Sequence, residues 1–138
     1  MKLKILLGTI LFISLMTHRQ DAKPLKLLND QVAAFNEQDI DKLVENVSED
    51  FKYFYLTSDE LLLEVSGKEK FRKSMEAYFG SGRKVLSTID DYTIDGNRIS
   101  FKETVSHLNN SGERVYSSAL GIYEVKNDKI TRSWYFID

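Results

Sequence analysis

Cysteine is absent from this 138-residue chain, proline and tryptophan each occur once, and there are only two histidines. Without cysteine there can be no disulfide, no thiolate catalysis, no Cys-ligated zinc and no lipidated N-terminal cysteine. His18 lies just behind an N-terminal apolar run, which leaves His107 alone in the remainder and too few ligands for a His-rich metal site. No metal and no cofactor is expected. Lys and Arg nowhere gather into a stripe, so nucleic acid is not an expected partner. The phosphate-binding loop, the dinucleotide fingerprint and the G-x-S-x-G elbow are all missing. Gly80-Ser81-Gly82-Arg83 reads as a loop that ends a helix, not as a phosphate cradle. Asp90-Asp91 and Glu49-Asp50 are adjacent pairs whose side chains point different ways, as solvated charges do.

What remains suits a soluble globule. Apolar residues make up 42%, aromatics 12% and charged residues 29%, a balance that argues against disorder and fits one domain with one core. The longest apolar run, Ile5 to Met16, is too short to span a bilayer comfortably and follows Lys2 and Lys4, the pattern of an export signal. Residues 1–22 are therefore expected to be a signal peptide and residues 23–138 the exported domain, secreted or periplasmic, with no stable membrane insertion after cleavage. The region before Ala22 lacks an A-x-A site, and an uncleaved anchor is the competing reading. Removing residues 1–22 takes away Lys2, Lys4 and Arg19 against Asp21, so the net charge moves from −2 to −4.

Pro24 suits the first turn of a helix, where its missing N–H is not needed. Leu25, Leu28, Val32 and Phe35 then recur on one helical face. Asp39 is expected to cap a second, short helix buried through Ile40, Leu43, Val44 and Val47. Phe51 to Leu56 and Leu61 to Val65 read as strands. Ser66 and Glu69 have the spacing of a capping box for a third helix, with Phe71, Met75, Tyr78 and Phe79 on its apolar face and Gly80 and Gly82 at its end. Four strands complete the chain: Lys84 to Ile94, Arg98 to Leu108, Arg114 to Val125 and Lys129 to Ile137. The turns Asp95-Gly96-Asn97, Asn109 to Gly112 and Lys126-Asn127-Asp128 join them as antiparallel neighbours. Helices first and strands later predict an α+β fold.

That order resembles the nuclear transport factor 2-like superfamily, its SnoaL-like branch in particular. The likeness runs from residue 25 to 138. It rests on Val32 to Leu43 (helix, break, second helix), Asp50-Phe51 at the head of the first strand, Gly67 to Phe71 at the start of the third helix, and the closing hairpin from Asn127 to Asp138. The resemblance implies a curved antiparallel sheet packed against three helices from the N-terminal half, a cone with a central pocket, and homodimers through the outer sheet. It does not imply one activity, because the superfamily holds isomerases, cyclases, dehydratases and non-catalytic binders. Its ketosteroid isomerases use a first-helix tyrosine, a first-strand aspartate base and a late-strand aspartic acid. Those positions fall here on Gln31, Tyr55 and Gly121, so that reaction is not expected.

Strand parity singles out candidates independently. On Arg98–Leu108, Ile99, Phe101, Glu103, Val105 and His107 share the apolar face, which places Glu103 and His107 toward the core as candidate acid–base groups. Their backbones lie about 13 Å apart at about 3.3 Å per residue, so they can line one hollow without touching. Pairing of Glu103 with Arg132 or Lys84 is the structural alternative. Phe51, Tyr53 and Tyr55 share a face of the first strand, and Ile130, Arg132, Trp134 and Phe136 read as one face of the last. Tyr53, Tyr55 and Trp134 are the ligand candidates, since aromatics with polar tips suit an apolar pocket. Phe51, Tyr123 and Phe136 read as core. The outer faces, with Ser100, Lys102, Thr104, Ser106, Ser118, Thr131, Ser133 and Tyr135, read as mixed in polarity. Three readings follow: a non-catalytic exported binder of a small apolar or aromatic molecule, an isomerase, dehydratase or cyclase using Glu103 or His107, and a dimeric interaction module whose pocket is filled.

Overall fold

The computed structural model describes residues 22–136. The expected signal peptide lies outside the described residues except for Ala22, and so does Asp138. Among the described residues no helix is long and apolar enough to cross a membrane.

The first helix, α1, covers residues 22–37 and buries Leu27, Leu28, Gln31 and Ala34 along one face. It stops where Gln38 takes a left-handed φ of 56°. Asp39 caps α2 (Ile40–Glu45) by accepting the Lys42 N–H at 3.0 Å, as its sequence position suggests. The third helix, α3 (Lys68–Gly80), starts differently from expectation. Ser66 ends a strand, and Gly67 is the N-cap with φ of 98° and no side-chain cap. The chain turns from strand to helix too sharply for the Ser66–Glu69 box to form, and only glycine accepts that backbone without strain.

Six strands form one sheet: β1 (Val47–Leu56), β2 (Leu61–Ser66), β3 (Val85–Asp95), β4 (Arg98–Leu108), β5 (Arg114–Lys126) and β6 (Lys129–Phe136). Their order is β2-β1-β6-β5-β4-β3. All neighbours are antiparallel except β1 and β6, which run parallel in the middle of the sheet. Asn127 and Asp128 join β5 to β6 with φ of 51° and 58°, the positive pair that a two-residue hairpin turn needs. The helices close over one face, and Phe51, Val65, Phe71, Ile99, Phe101, Tyr123, Val125 and Ile130 bury themselves with Leu28 and Leu43 in a single core. The fold is therefore α+β, a curved, unclosed sheet backed by three helices.

One irregularity decides which side chains face the helices. Val125 pairs with Ile130 and Glu124 with Arg132, so Thr131 is an extra residue in β6. A bulge of this kind shifts every later side chain to the opposite face. Ile130 is buried, and beyond the bulge it is Ser133 and Tyr135 that point inward while Trp134 points out. The expected single face of Ile130, Arg132, Trp134 and Phe136 does not exist, and Ser133 and Tyr135 leave the outer surface. Trp134 stacks on Phe54 of β1, ring centroids 5.9 Å apart and 12° from parallel.

The outer face is correspondingly more apolar than expected. Leu63, Phe54, Trp134 and Ile122 form one cross-strand row, and Leu61, Leu56, Phe136 and Leu120 the next. Of these, Leu61, Leu63, Phe136 and Leu120 are exposed. Beside them lies Glu124, only 2% exposed, bridged to Arg98 at 3.1 Å and Lys126 at 3.3 Å. Burial works against its charge, but hydrogen bonds from Thr131, Lys126 and Arg98 prevail and hold the carboxyl below the usual range.

On the inner face Gly121 stands between Phe101 and Tyr135 in the same row. A Cβ there would lie 2.5 Å from the Phe101 ring and 3.1 Å from that of Tyr135. Phe101 is 3% exposed and cannot swing away into solvent. Gly121→Ala is therefore expected to destabilise the fold by about 1–3 kcal/mol through overpacking. Urea denaturation measures this directly, and an unchanged midpoint would show that the ring has room to move.

Candidate functional site

Between the sheet and the helices lies a cavity of about 610 Å³. Its walls come from every layer: Gln31 and Phe35 from α1, Leu43 from α2, Tyr53 and Tyr55 from β1, Met75 and Tyr78 from α3, Glu103 and Val105 from β4, and Ser133 and Tyr135 from β6. A filled interior, as the interaction-module reading requires, is not what this structure has.

Glu103 is the carboxyl inside. Its cross-strand partner on β5 is Ala119, whose small side chain leaves it space. Ser87, its diagonal neighbour on β3, donates its hydroxyl to the Glu103 carboxylate. Ser87 is itself held from α1, where Asn36 accepts its N–H at 2.7 Å and donates to its C=O at 2.9 Å. The Tyr135 phenol stands near enough to Glu103 to favour its charged form, and the Tyr135 and Tyr123 hydroxyls lie 3.2 Å apart. The expected pairing of Glu103 with Arg132 or Lys84 does not occur, because Arg132 falls on the outer face with Glu124.

Burial pushes the Glu103 carboxyl above its usual range, and the Ser87 hydrogen bond and the nearby Tyr135 phenol offset only part of that rise. The phenols of Tyr53, Tyr123 and Tyr135 are pushed up too, chiefly by burial and further by the nearby Glu103 charge. They remain protonated donors at any ordinary pH. Tyr53 and Tyr55 stack edge to face with centroids 4.9 Å apart, and Tyr53 meets Tyr135 at 5.5 Å. The arrangement is thus an aromatic wall with hydroxyl tips, one acid buried within it and a second, the exposed Glu64, on its lining.

Of the five residues singled out by sequence, Tyr53, Tyr55 and Glu103 line this cavity together. His107 does not line it. Parity puts it on the inner face, but it lies four residues beyond Glu103, opposite Val85 and Val115, past the end of the hollow. Trp134 does not line it either, because the Thr131 bulge turns it to the opposite face. Sequence reasoning missed Asn36, Ser87 and Tyr135. Ser87 carried a weak signal, a serine between the inward positions Val85 and Ile89. Tyr135 carried none without knowledge of the bulge. Among the described residues no group of His, Asp and Glu is arranged to hold a metal.

A family model described as a SnoaL-like domain matches residues 28–133. The chain belongs to the SnoaL-like family. Solved structures with the same fold include a cystatin-fold protein from Novosphingobium aromaticivorans, with a TM-score of 0.67 and 22% identity over 81% of this chain and 96% of that one. An LEH-like epoxide hydrolase from M. tuberculosis gives 0.71 and 16% over 86% and 84%. An NTF2-like protein of unknown function from Cytophaga hutchinsonii gives 0.64 and 13% over 85% and 97%. At these identities the likeness concerns the fold alone. No curated protein matches the chain. In this SnoaL-like domain the amide of Gln31 is engaged by Asn46 at 2.9 Å and the Leu43 carbonyl at 3.4 Å, Tyr55 lines the cavity, and Gly121 is covered by the Phe101 ring.

Because the folded protein binds the Glu103 proton more tightly than the unfolded chain does, its stability falls as pH rises from the ordinary carboxylate range through the folded value. Glu103→Gln removes that fall. The urea midpoint of the variant relative to the native protein should therefore climb as pH rises above about pH 4, the ordinary carboxylate range, and level off once the folded carboxyl has lost its proton. A difference that stays flat over the same range would show that Glu103 is not desolvated.

Proposed function

We propose that this SnoaL-like domain binds a small, largely apolar or aromatic molecule in the cavity beneath the sheet and performs no chemistry on it. The observation that carries this reading is the cavity's lining: a wall of aromatic side chains with a few convergent polar groups, the make-up of a small-molecule site. The polar groups hold one another. Ser87 is committed to Glu103 and the Tyr135 hydroxyl to that of Tyr123, and no histidine or lysine lines the cavity beside Glu103 to form an acid–base pair.

A second reading is an enzyme of isomerase, dehydratase or cyclase type. What favours it is Glu103 itself, a desolvated carboxyl with phenol donors nearby, which is how a single general base is made. The fold's occurrence in an epoxide hydrolase is compatible with it. Glu103 would carry the proton transfer alone, and Tyr55 would donate a hydrogen bond.

Export and pairing complete the proposal. Lys2, Lys4 and the run Ile5 to Met16 support secretion or a periplasmic location. The exposed row of Leu61, Phe136 and Leu120 supports a homodimer through the outer sheet, since exposed apolar patches of this kind mark interaction surfaces.

Native mass spectrometry of the protein purified from its source reads all three at once. The expected result is a chain shortened by about 22 residues at its N-terminus, present as a dimer and carrying a non-covalent small molecule. An Ala119→Trp variant, which fills the space beside Glu103, should lose that molecule, and retention of the ligand would move the site elsewhere. In the same spectra Leu120→Asp should convert dimer to monomer, and a monomeric native protein would reject the pairing. Turnover of the recovered molecule by the native protein but not by Glu103→Gln would replace the first reading with the second.

A further inference from the structure

The charge inside the cavity has one sign. Among its lining residues there is no Lys, Arg or His, while Glu103 sits deep on β4 and Glu64, exposed on β2, lies where the cavity meets solvent. Glu103 accepts from one neutral donor, Ser87, has the Tyr135 phenol nearby, and forms no ion pair among the described residues. Arg83 acts on Tyr78 from outside the lining. Around the carboxyl stand the phenols of Tyr53, Tyr55, Tyr78, Tyr123 and Tyr135.

Aromatic faces are electron-rich and attract cations, the more so when water is excluded. A carboxylate in an apolar setting is destabilised until an opposite charge arrives. An anionic guest would meet two carboxylates and no positive group. A neutral guest would leave the Glu103 charge uncompensated. An organic cation would satisfy both features of the wall at once.

From this juxtaposition we infer that the ligand is a hydrophobic organic cation, an amine or quaternary ammonium carried on an apolar body, seated with its charge against Glu103 and its alkyl groups on the tyrosine rings. The inference rests on the binding reading above and adds the chemical class of the guest. The apolar body lies toward Phe35, Met75 and Val105, the carbon-rich side of the same hollow.

Two probes of equal shape separate the charge from the fit: phenyltrimethylammonium and its neutral isostere tert-butylbenzene. Each is titrated into the native protein while the tyrosine ring resonances are followed by NMR. The cation should bind about tenfold more tightly than its isostere. In Glu103→Gln, confirmed to be folded from its spectrum, that ratio should fall by about threefold or more, as the cation keeps the rings but loses the buried carboxylate. Equal affinity in the native protein, or preference for the neutral probe, would overturn the cation assignment and leave the cavity as a general apolar site. If neither probe moves the tyrosine resonances, the binding reading fails with it.

Discussion

A carboxyl group in an apolar hollow is tolerated only when hydrogen bonds replace the water it has lost. The inner face of this sheet is arranged around one such group. Ser87 reaches Glu103 from β3, the Tyr135 phenol stands near it on β6, and Ala119 makes room on β5. Asn36 adds a second tier, since its amide grips the backbone of Ser87 and fixes α1 to the sheet at the same point. Loss of any member leaves its neighbours short of a partner at buried positions, since Ser87 is 2% exposed and Tyr123 is 7% exposed. Among the described residues no buried side-chain polar atom lacks a partner, so the polar set is closed.

The two faces of the sheet are coupled through the Thr131 bulge. One inserted residue gives the interior Ser133 and Tyr135 and gives the exterior Trp134. Without it the last strand would offer tryptophan to the cavity and tyrosine to solvent, and Tyr123 would lose its hydroxyl partner. The same shift sets Trp134 and Phe136 into the apolar outer rows of Leu63, Phe54 and Ile122 and of Leu61, Leu56 and Leu120. Site and surface are thus one consequence of one backbone irregularity.

Much of this was legible from residue order alone, and the parts that were not share a cause. Regular alternation on β4 placed Ile99, Phe101 and Glu103 inward, and the aromatic spacing on β1 did the same for Tyr53 and Tyr55, because an unbroken strand has a fixed period. The family resemblance, carried by the helix break near Asn36 and the glycine-led start of α3, gave the architecture. Trp134 was misplaced because Ile130, Arg132, Trp134 and Phe136 alternate in sequence whether or not a bulge intervenes. His107 had the right parity, yet parity does not say where a cavity ends. Gly121 reads in sequence as a missing carboxylate, whereas in the fold it is the seat of the Phe101 ring. The Ser66–Glu69 spacing was a true pattern overridden by the tight turn at Gly67. Local spacing records periodicity well and records long-range contacts hardly at all.

The parallel pair of β1 and β6 has a bearing on how the molecule assembles. β1 hydrogen-bonds to β2 and β6 only, while β3, β4 and β5 form a ladder of their own that also ends on β6. Until the final strand is in place, the early hairpin and the later meander are two disconnected pieces, each with an open edge. Such a sheet joins by contacts distant in sequence, which slows its formation. The last of the six strands is the one that turns two ribbons into a vessel.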